Sequence, residues 1–166
     1  MFVLIVGCGR VGSSVARTLL REGHEVSCLD EDSEAHARLE VGLEQGWEDS
    51  GGSFTVGTAL EVDALLEAGV ERADAFIAAT DGDNTNIVIA QIAKDRFGVP
   101  NVIARILDPL RAKWYEEQGM QTVCPTRVAI DMLEKQVLEA AATMGDGARA
   151  RDGSGAAEGA GAGESG

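Results

Sequence analysis

Three glycines and one carboxylate are the residues of this 166-residue chain whose types and spacing suit a phosphorylated ligand. Gly7, Gly9 and Gly12 stand in the run Gly7-Cys8-Gly9-Arg10-Val11-Gly12, and Asp30 follows eighteen residues after Gly12. The first glycine permits a tight turn off a strand, the second leaves no side chain between backbone and a pyrophosphate, and the third lets a helix pack closely on a sheet. The unpaired N–H groups of that helix's first turn then face the phosphates, aided by the partial positive charge of the helix end. Cys8, Arg10 and Val11 complete the loop. Arg10 is its cation and reads either as a phosphate contact or as a solvated turn residue. Asp30 is placed to accept both hydroxyls of an adenosine ribose. Glu31 and Asp32 come next instead of a basic residue, so a 2′-phosphate would meet negative charge. NAD(H) or an adenine nucleotide (ATP, ADP or AMP) is therefore expected over NADP(H).

These residues need a strand, a helix and a second strand to hold them. The apolar run over 2–6 has the length of a buried strand, Val15, Ala16, Leu19 and Leu20 recur at helical spacing, and residues 25–29 form a second apolar-leaning run closing on Asp30. Further along, the pattern predicts a helix over 33–43, a loop over 46–53, and a short strand over 54–56 ending at Gly57-Thr58-Ala59. A helix over 61–68 closed by Gly69 follows, then an apolar run over 75–80 ending at Thr80 and leading into Asp81-Gly82-Asp83-Asn84. A helix over 87–97, a strand over 101–106 containing Arg105, a helix over 109–118 and a short strand over 121–124 complete the series. The alternation predicts an α/β fold, a Rossmann-like doubly wound parallel sheet of about six strands. Ligands in such sheets sit beyond the carboxyl ends of the strands. The glycine loop, Asp30 with Glu31, the Gly57–Ala59 turn and the segment from Thr80 through Asn86 all fall there. Asp81 and Asp83 read equally well as caps of the helix starting near Asn84. His24 reads as a turn residue and His36 as part of an acidic helix face.

A last helix over 127–144 carries Val128, Ile130, Met132, Leu133, Val137, Leu138 and Ala141, a band wider than one sheet face needs. It predicts either a contact with a second subunit or cover for the sheet edge. Residues 1–144 thus read as one nucleotide-binding domain. Residues 145–166, rich in Gly and Ala, read as a disordered tail.

The net charge of −14 argues against nucleic acid as a partner. Cys8, Cys28 and Cys124 form no CxxC pair and read as small core residues in a reducing cytoplasm, with no metal site expected. No apolar run is long enough to cross a membrane, so a cytoplasmic location is expected, with membrane association only through a partner.

The order GCGRVG, LD at the second strand end, VGTA, LLEAGVERADAFIAAT with DGDNTN, and VIAR with DP two residues on resembles the N-terminal nucleotide-binding domain of regulators of potassium conductance, as in Trk and Ktr potassium-uptake subunits. The resemblance covers about residues 1–138. It implies a cytosolic gating subunit, not an enzyme, that binds NAD(H), ATP or ADP and passes the nucleotide state to a membrane potassium transporter or channel. It also implies a homodimer or a higher ring. By this resemblance Gly7, Gly9 and Gly12 line the pyrophosphate, Arg10 reaches terminal phosphates, Asp30 holds the adenosine ribose, and Thr80 and Asp81 stand near the nucleotide. Arg105 lies near the phosphate edge or a subunit contact, and the last helix corresponds to the family's crossover helix.

Two departures stand out. Gly57-Thr58-Ala59 replaces the family's Gly-Asp-Ala, exchanging a carboxylate on the adenine side for a hydroxyl. The family's C-terminal regulatory domain is not expected within these 166 residues. The competing function is an NAD-dependent oxidoreductase, which would need a substrate domain with a catalytic His, Lys or Tyr. A third is a nucleotide-binding regulatory module with a different partner.

Overall fold

The computed structural model describes the backbone of residues 1–152 and the side chains of residues 1–143. The chain forms two compact units, Met1–Thr126 and Arg127–Gly166. In the first, β1 (Phe2–Val6) is buried at all five positions, as a strand covered on both faces must be. Its side chains alternate between two cores. Phe2, Leu4 and Val6 join Phe76, Ile87 and Ile89, whereas Val3 and Ile5 join Ala16, Val26 and Leu39.

On either side of β1 lie β2 (Glu25–Asp30) and β4 (Ala75–Ala78), then β3 (Gly52–Val56) beyond β2, and β5 (Asn101–Arg105) and β6 (Gln121–Val123) beyond β4. The order is β3-β2-β1-β4-β5-β6 and every pairing is parallel. The expected six-stranded, Rossmann-like sheet is therefore present. The order reverses between β1 and β4, and their carboxyl ends open the crevice where such sheets take ligands.

Helices α1 (Arg10–Arg21), α2 (Ala35–Glu40), α3 (Val62–Glu67), α4 (Asp83–Gln91) and α5 (Pro109–Glu117) make the crossovers. The helix expected over 33–43 is only the six residues of α2. The loop expected over 46–53 hides a core residue: Trp47 is fully buried. A Cβ on Gly52 would lie 2.2 Å from the Trp47 ring, so glycine at that position makes room for the indole, which donates to Ser53 O at 3.1 Å. This anchoring also lets β3 begin at Gly52, earlier than the apolar residues suggest. Helix α4 starts at Asp83, four residues before the expected 87, and continues through Ile92–Arg96 in π geometry.

The described part of the second unit lies within α6 (Pro125–Asp152), whose first two residues belong to the first unit. Its apolar band is exposed, with Leu133, Val137 and Leu138 each more than 60% accessible. The backbone stays helical past 144, into the stretch expected to be disordered, consistent with the strong helix formers of Ala148-Arg149-Ala150-Arg151. Residues 153–166, the rest of that expected tail, lie outside the described residues.

Candidate functional site

A cleft of about 520 Å³ opens at the carboxyl ends of β1, β2, β4 and β5 and at the turn after β3. Its phosphate-loop wall is built by backbone. Gly7 N–H donates to Leu29 O at 2.9 Å, fastening the turn to the end of β2. Gly7 has φ +95°, and a Cβ there would come within 2.5 Å of Thr80 N, so both conformation and space demand glycine. At Gly12 a Cβ would meet Gly7 O at 1.9 Å: α1 lies directly on the turn it follows. At Gly9 a Cβ would meet nothing within 4 Å. Gly9 is the N-cap of α1, and Ser13 N–H to Gly9 O is the first bond of that helix. The N–H groups of Arg10, Val11 and Gly12 precede it and have no intrahelical acceptor. Beside the bare Cα of Gly9 they offer donors and a partial positive charge to an anion.

Asp30 stands against this wall, half-buried at the end of β2. Its Oδ2 accepts from Cys8 N–H at 2.6 Å and its Oδ1 from Asp32 N–H at 3.0 Å. Each carboxylate oxygen has two lone-pair sites, so each keeps one for a second donor, the arrangement a vicinal diol requires. Glu31 and Asp32 line the same side, and Arg38 pairs with Asp32 at 3.1 Å. Thr58, Ala59 and Leu60 form a less polar stretch after β3.

The opposite wall hangs on a residue that pattern reading placed at the strand end but gave no role. Asn86, in α4, is fully buried and uses both ends of its amide. Its Oδ1 accepts from Thr80 N–H at 2.9 Å and from the Thr80 hydroxyl at 2.7 Å, while its Nδ2 donates to Thr80 O and Arg105 O, each at 2.9 Å. One side chain thus ties the end of β4 to the end of β5. Arg105 also donates from Nη2 to Thr80 O, and its buried Nε has no partner. The signal that could have found Asn86 is its spacing from Ala90 and Ala93, which share the buried stripe of the helix.

Three predicted residues do not reach the cleft. Cys8 is fully buried, with its N–H committed to Asp30. Gly12 serves by packing beneath the loop. The Asn84 side chain accepts from Arg111 Nη2 at 2.6 Å, facing α5. Asp83 neither caps its helix nor faces the cleft: its carboxylate accepts from Leu107 and Asp108 N–H at 2.8 and 3.1 Å. Gly7, Gly9, Arg10, Val11, Asp30, Glu31, Gly57, Thr58, Ala59, Thr80, Asp81 and Arg105 do line it, together with Leu60 and Thr85, which sequence reasoning did not single out.

Beneath the loop, Cys8 and Cys28 lie side by side. The hydrogen bond with Cys8 and burial push the Cys28 thiol well above the usual range, and the nearby Asp30 charge acts in the same direction. Both sulfurs belong to the core, not to the cleft.

Residues 3–126 match the TrkA-N domain. The chain belongs to that family. Among curated relatives, a Trk system potassium uptake protein TrkA from Streptomyces coelicolor is 41% identical over 142 residues, 86% of this chain and 60% of the relative. The chain thus spans about 60% of that relative's length. Two solved structures share the fold. A Kef C-terminal domain of Shewanella denitrificans in AMP-bound form is 24% identical, with TM-score 0.65, covering 92% of this chain and 93% of that one. A GsuK channel bound to NAD is 22% identical, with TM-score 0.65, covering 80% of this chain and 22% of that one.

Proposed function

We propose that the cleft binds NAD(H) or an adenine nucleotide and that this TrkA-N chain is a regulatory subunit of a membrane potassium-uptake system. The observation that carries the reading is the pairing, across one cleft, of the unhindered Gly9 face at the α1 N-terminus with the spare lone pairs of Asp30. The first suits a phosphate and the second a ribose. The AMP-bound and NAD-bound structures of the same fold, and the potassium-uptake name of the relative, support the ligand class and the partner.

In this reading Arg10 and Arg105 meet phosphate oxygens, and Thr80 and Asp81 border the ligand. The nucleotide acts on the partner by binding two arrangements of the assembly with different affinity. The exposed band of α6 makes the homodimer contact, and the protein works on the cytoplasmic side through its membrane partner. The test is calorimetric titration with NAD+, NADH, ATP, ADP and AMP, with the assembly mass recorded in each case. One ligand is expected to bind with a change in mass, and Asp30→Ala to weaken it at least tenfold, about 1.4 kcal/mol. No binding by any of the five, or affinity untouched by Asp30→Ala, would overturn the site.

A further inference from the structure

Beside α1, on the face of the sheet where Ala16, Ala35 and Leu39 share one core, α2 and the segment after it gather three metal-ligating side chains. His36 and Glu40 stand one helical turn apart on α2, and Glu48 comes up to them from the turn before β3. His36 Nε2 lies 2.8 Å from Glu48 Oε1, and one donor atom from each of the three lies within 4.8 Å of the others. A tetrahedral Zn²⁺ with bonds near 2.0–2.1 Å sets its ligand atoms about 3.3 Å apart, so small side-chain rotations bring this set to that geometry.

The surroundings hold the donors in place. The His36 ring packs edge-on against Phe54 at 5.4 Å between centroids, and Trp47, fully buried, anchors the backbone next to Glu48. The turn is closed by Ser50 N–H to Gly46 O and Gly51 N–H to Glu48 O. Gly46 borders the group: a Cβ there would be in ordinary van der Waals contact with Glu40 Oε1, at 3.6 Å. Charge points the same way. Among the described residues His36 is paired with Glu48, while Glu40 has no cationic partner, so one imidazole stands with two carboxylates.

We propose that His36, Glu40 and Glu48 bind a divalent transition-metal ion, Zn²⁺ by the chemistry of one imidazole and two carboxylates, and that the ion staples α2 to the turn before β3. An all-oxygen set would suit Ca²⁺ or Mg²⁺; an imidazole nitrogen shifts the preference to Zn²⁺. The remaining coordination positions face solvent, since Glu40 and Glu48 are exposed.

The chain contains only two histidines, which makes the test sharp. The whole 166-residue chain, free of any histidine tag and kept reduced with a non-thiol reductant, is titrated with Zn²⁺ by calorimetry. One ion per chain is expected. Loss of even an outer partner of a metal ligand costs about 10–100-fold in affinity, so Glu48→Gln, Glu40→Gln and His36→Asn should each weaken binding at least tenfold, while His24→Asn leaves it unchanged. In parallel, Zn²⁺ should move the imidazole nitrogen resonances of His36 and not those of His24. Circular dichroism checks that each variant is folded; the three carboxamide and imidazole replacements are independent, so the loss of one does not remove the test. Failure of the wild-type chain to bind Zn²⁺, or binding that survives both Glu48→Gln and His36→Asn, would overturn the proposal.

Discussion

Replacing Asn86 tests whether the β4 and β5 wall of the cleft is held by one side chain. Truncation to Ala removes four hydrogen bonds at a position with no solvent access. Not all four are lost outright. Thr80 O keeps its bond from Arg105 Nη2, and the Thr80 hydroxyl can turn to Gly82 O, 3.5 Å away. Thr80 N–H and Arg105 O lose the side-chain partner the structure gives them. At about 1–3 kcal/mol for each of these two buried groups left unsatisfied, the expected loss is about 2–6 kcal/mol. For a chain of this length that lowers Tm by about 4–24 °C. Urea unfolding followed by circular dichroism measures the loss, with an unchanged m-value as the check that only stability moved. Asn86→Leu, which keeps the volume but not the amide, should lose as much. Asn86→Asp keeps the acceptor for Thr80 but turns a second carboxylate oxygen toward Thr80 O and Arg105 O, so it should be no better than Ala. A loss under about 0.5 kcal/mol in the Ala variant, or a wild-type Tm in the Asp variant, would refute the clamp.

Gly9→Ala and Gly12→Ala should separate binding from folding. The first places its methyl in open cleft and should leave stability within about 1 kcal/mol while cutting nucleotide affinity at least tenfold; the second drives a methyl into Gly7 O and should cost about 3 kcal/mol or more. Equal effects of the two on stability would contradict the packing described. The raised thiol pKa of Cys28 makes a prediction in pH. The native state holds that proton more tightly than the unfolded chain, so the stability it contributes is fully present below the ordinary thiol value of about 8.5 and falls as pH rises beyond it. Urea midpoints measured from neutral to alkaline pH should decline more steeply for wild type than for Cys28→Ala; parallel slopes would show that the buried thiol does not set the alkaline limit.

What the sequence made legible, and what it concealed, follows from how each feature is built. The glycine loop, the strand alternation and Asp30 are local: Gly7, Gly9 and Gly12 answer to backbone geometry within a single turn and helix, and the apolar runs announce strands whose two-sided burial needs no partner to be guessed. The residues whose roles pattern reading missed act over distance. Asn86 matters because β4 and β5 are neighbours in space, and its bond to Arg105 O spans nineteen positions. Asp83 is spent on Leu107 and Asp108, more than twenty positions away, so reading it as a cap or a ligand from its own surroundings could not succeed. Trp47 looked like a loop residue because its cover comes from Gly52 and from the face of the sheet, not from any periodic stripe. The same contrast divides the cleft. Its phosphate wall is fixed by main-chain bonds, close packing and one side-chain bond, from Cys8 N–H to Asp30, so apart from Asp30 a side-chain change reaches it by adding atoms, as at Gly12. Its other wall is fixed by amide and carboxylate side chains, which a single truncation can undo. Stability changes without new atoms should therefore concentrate on the β4–β5 side, and steric ones on the glycine side.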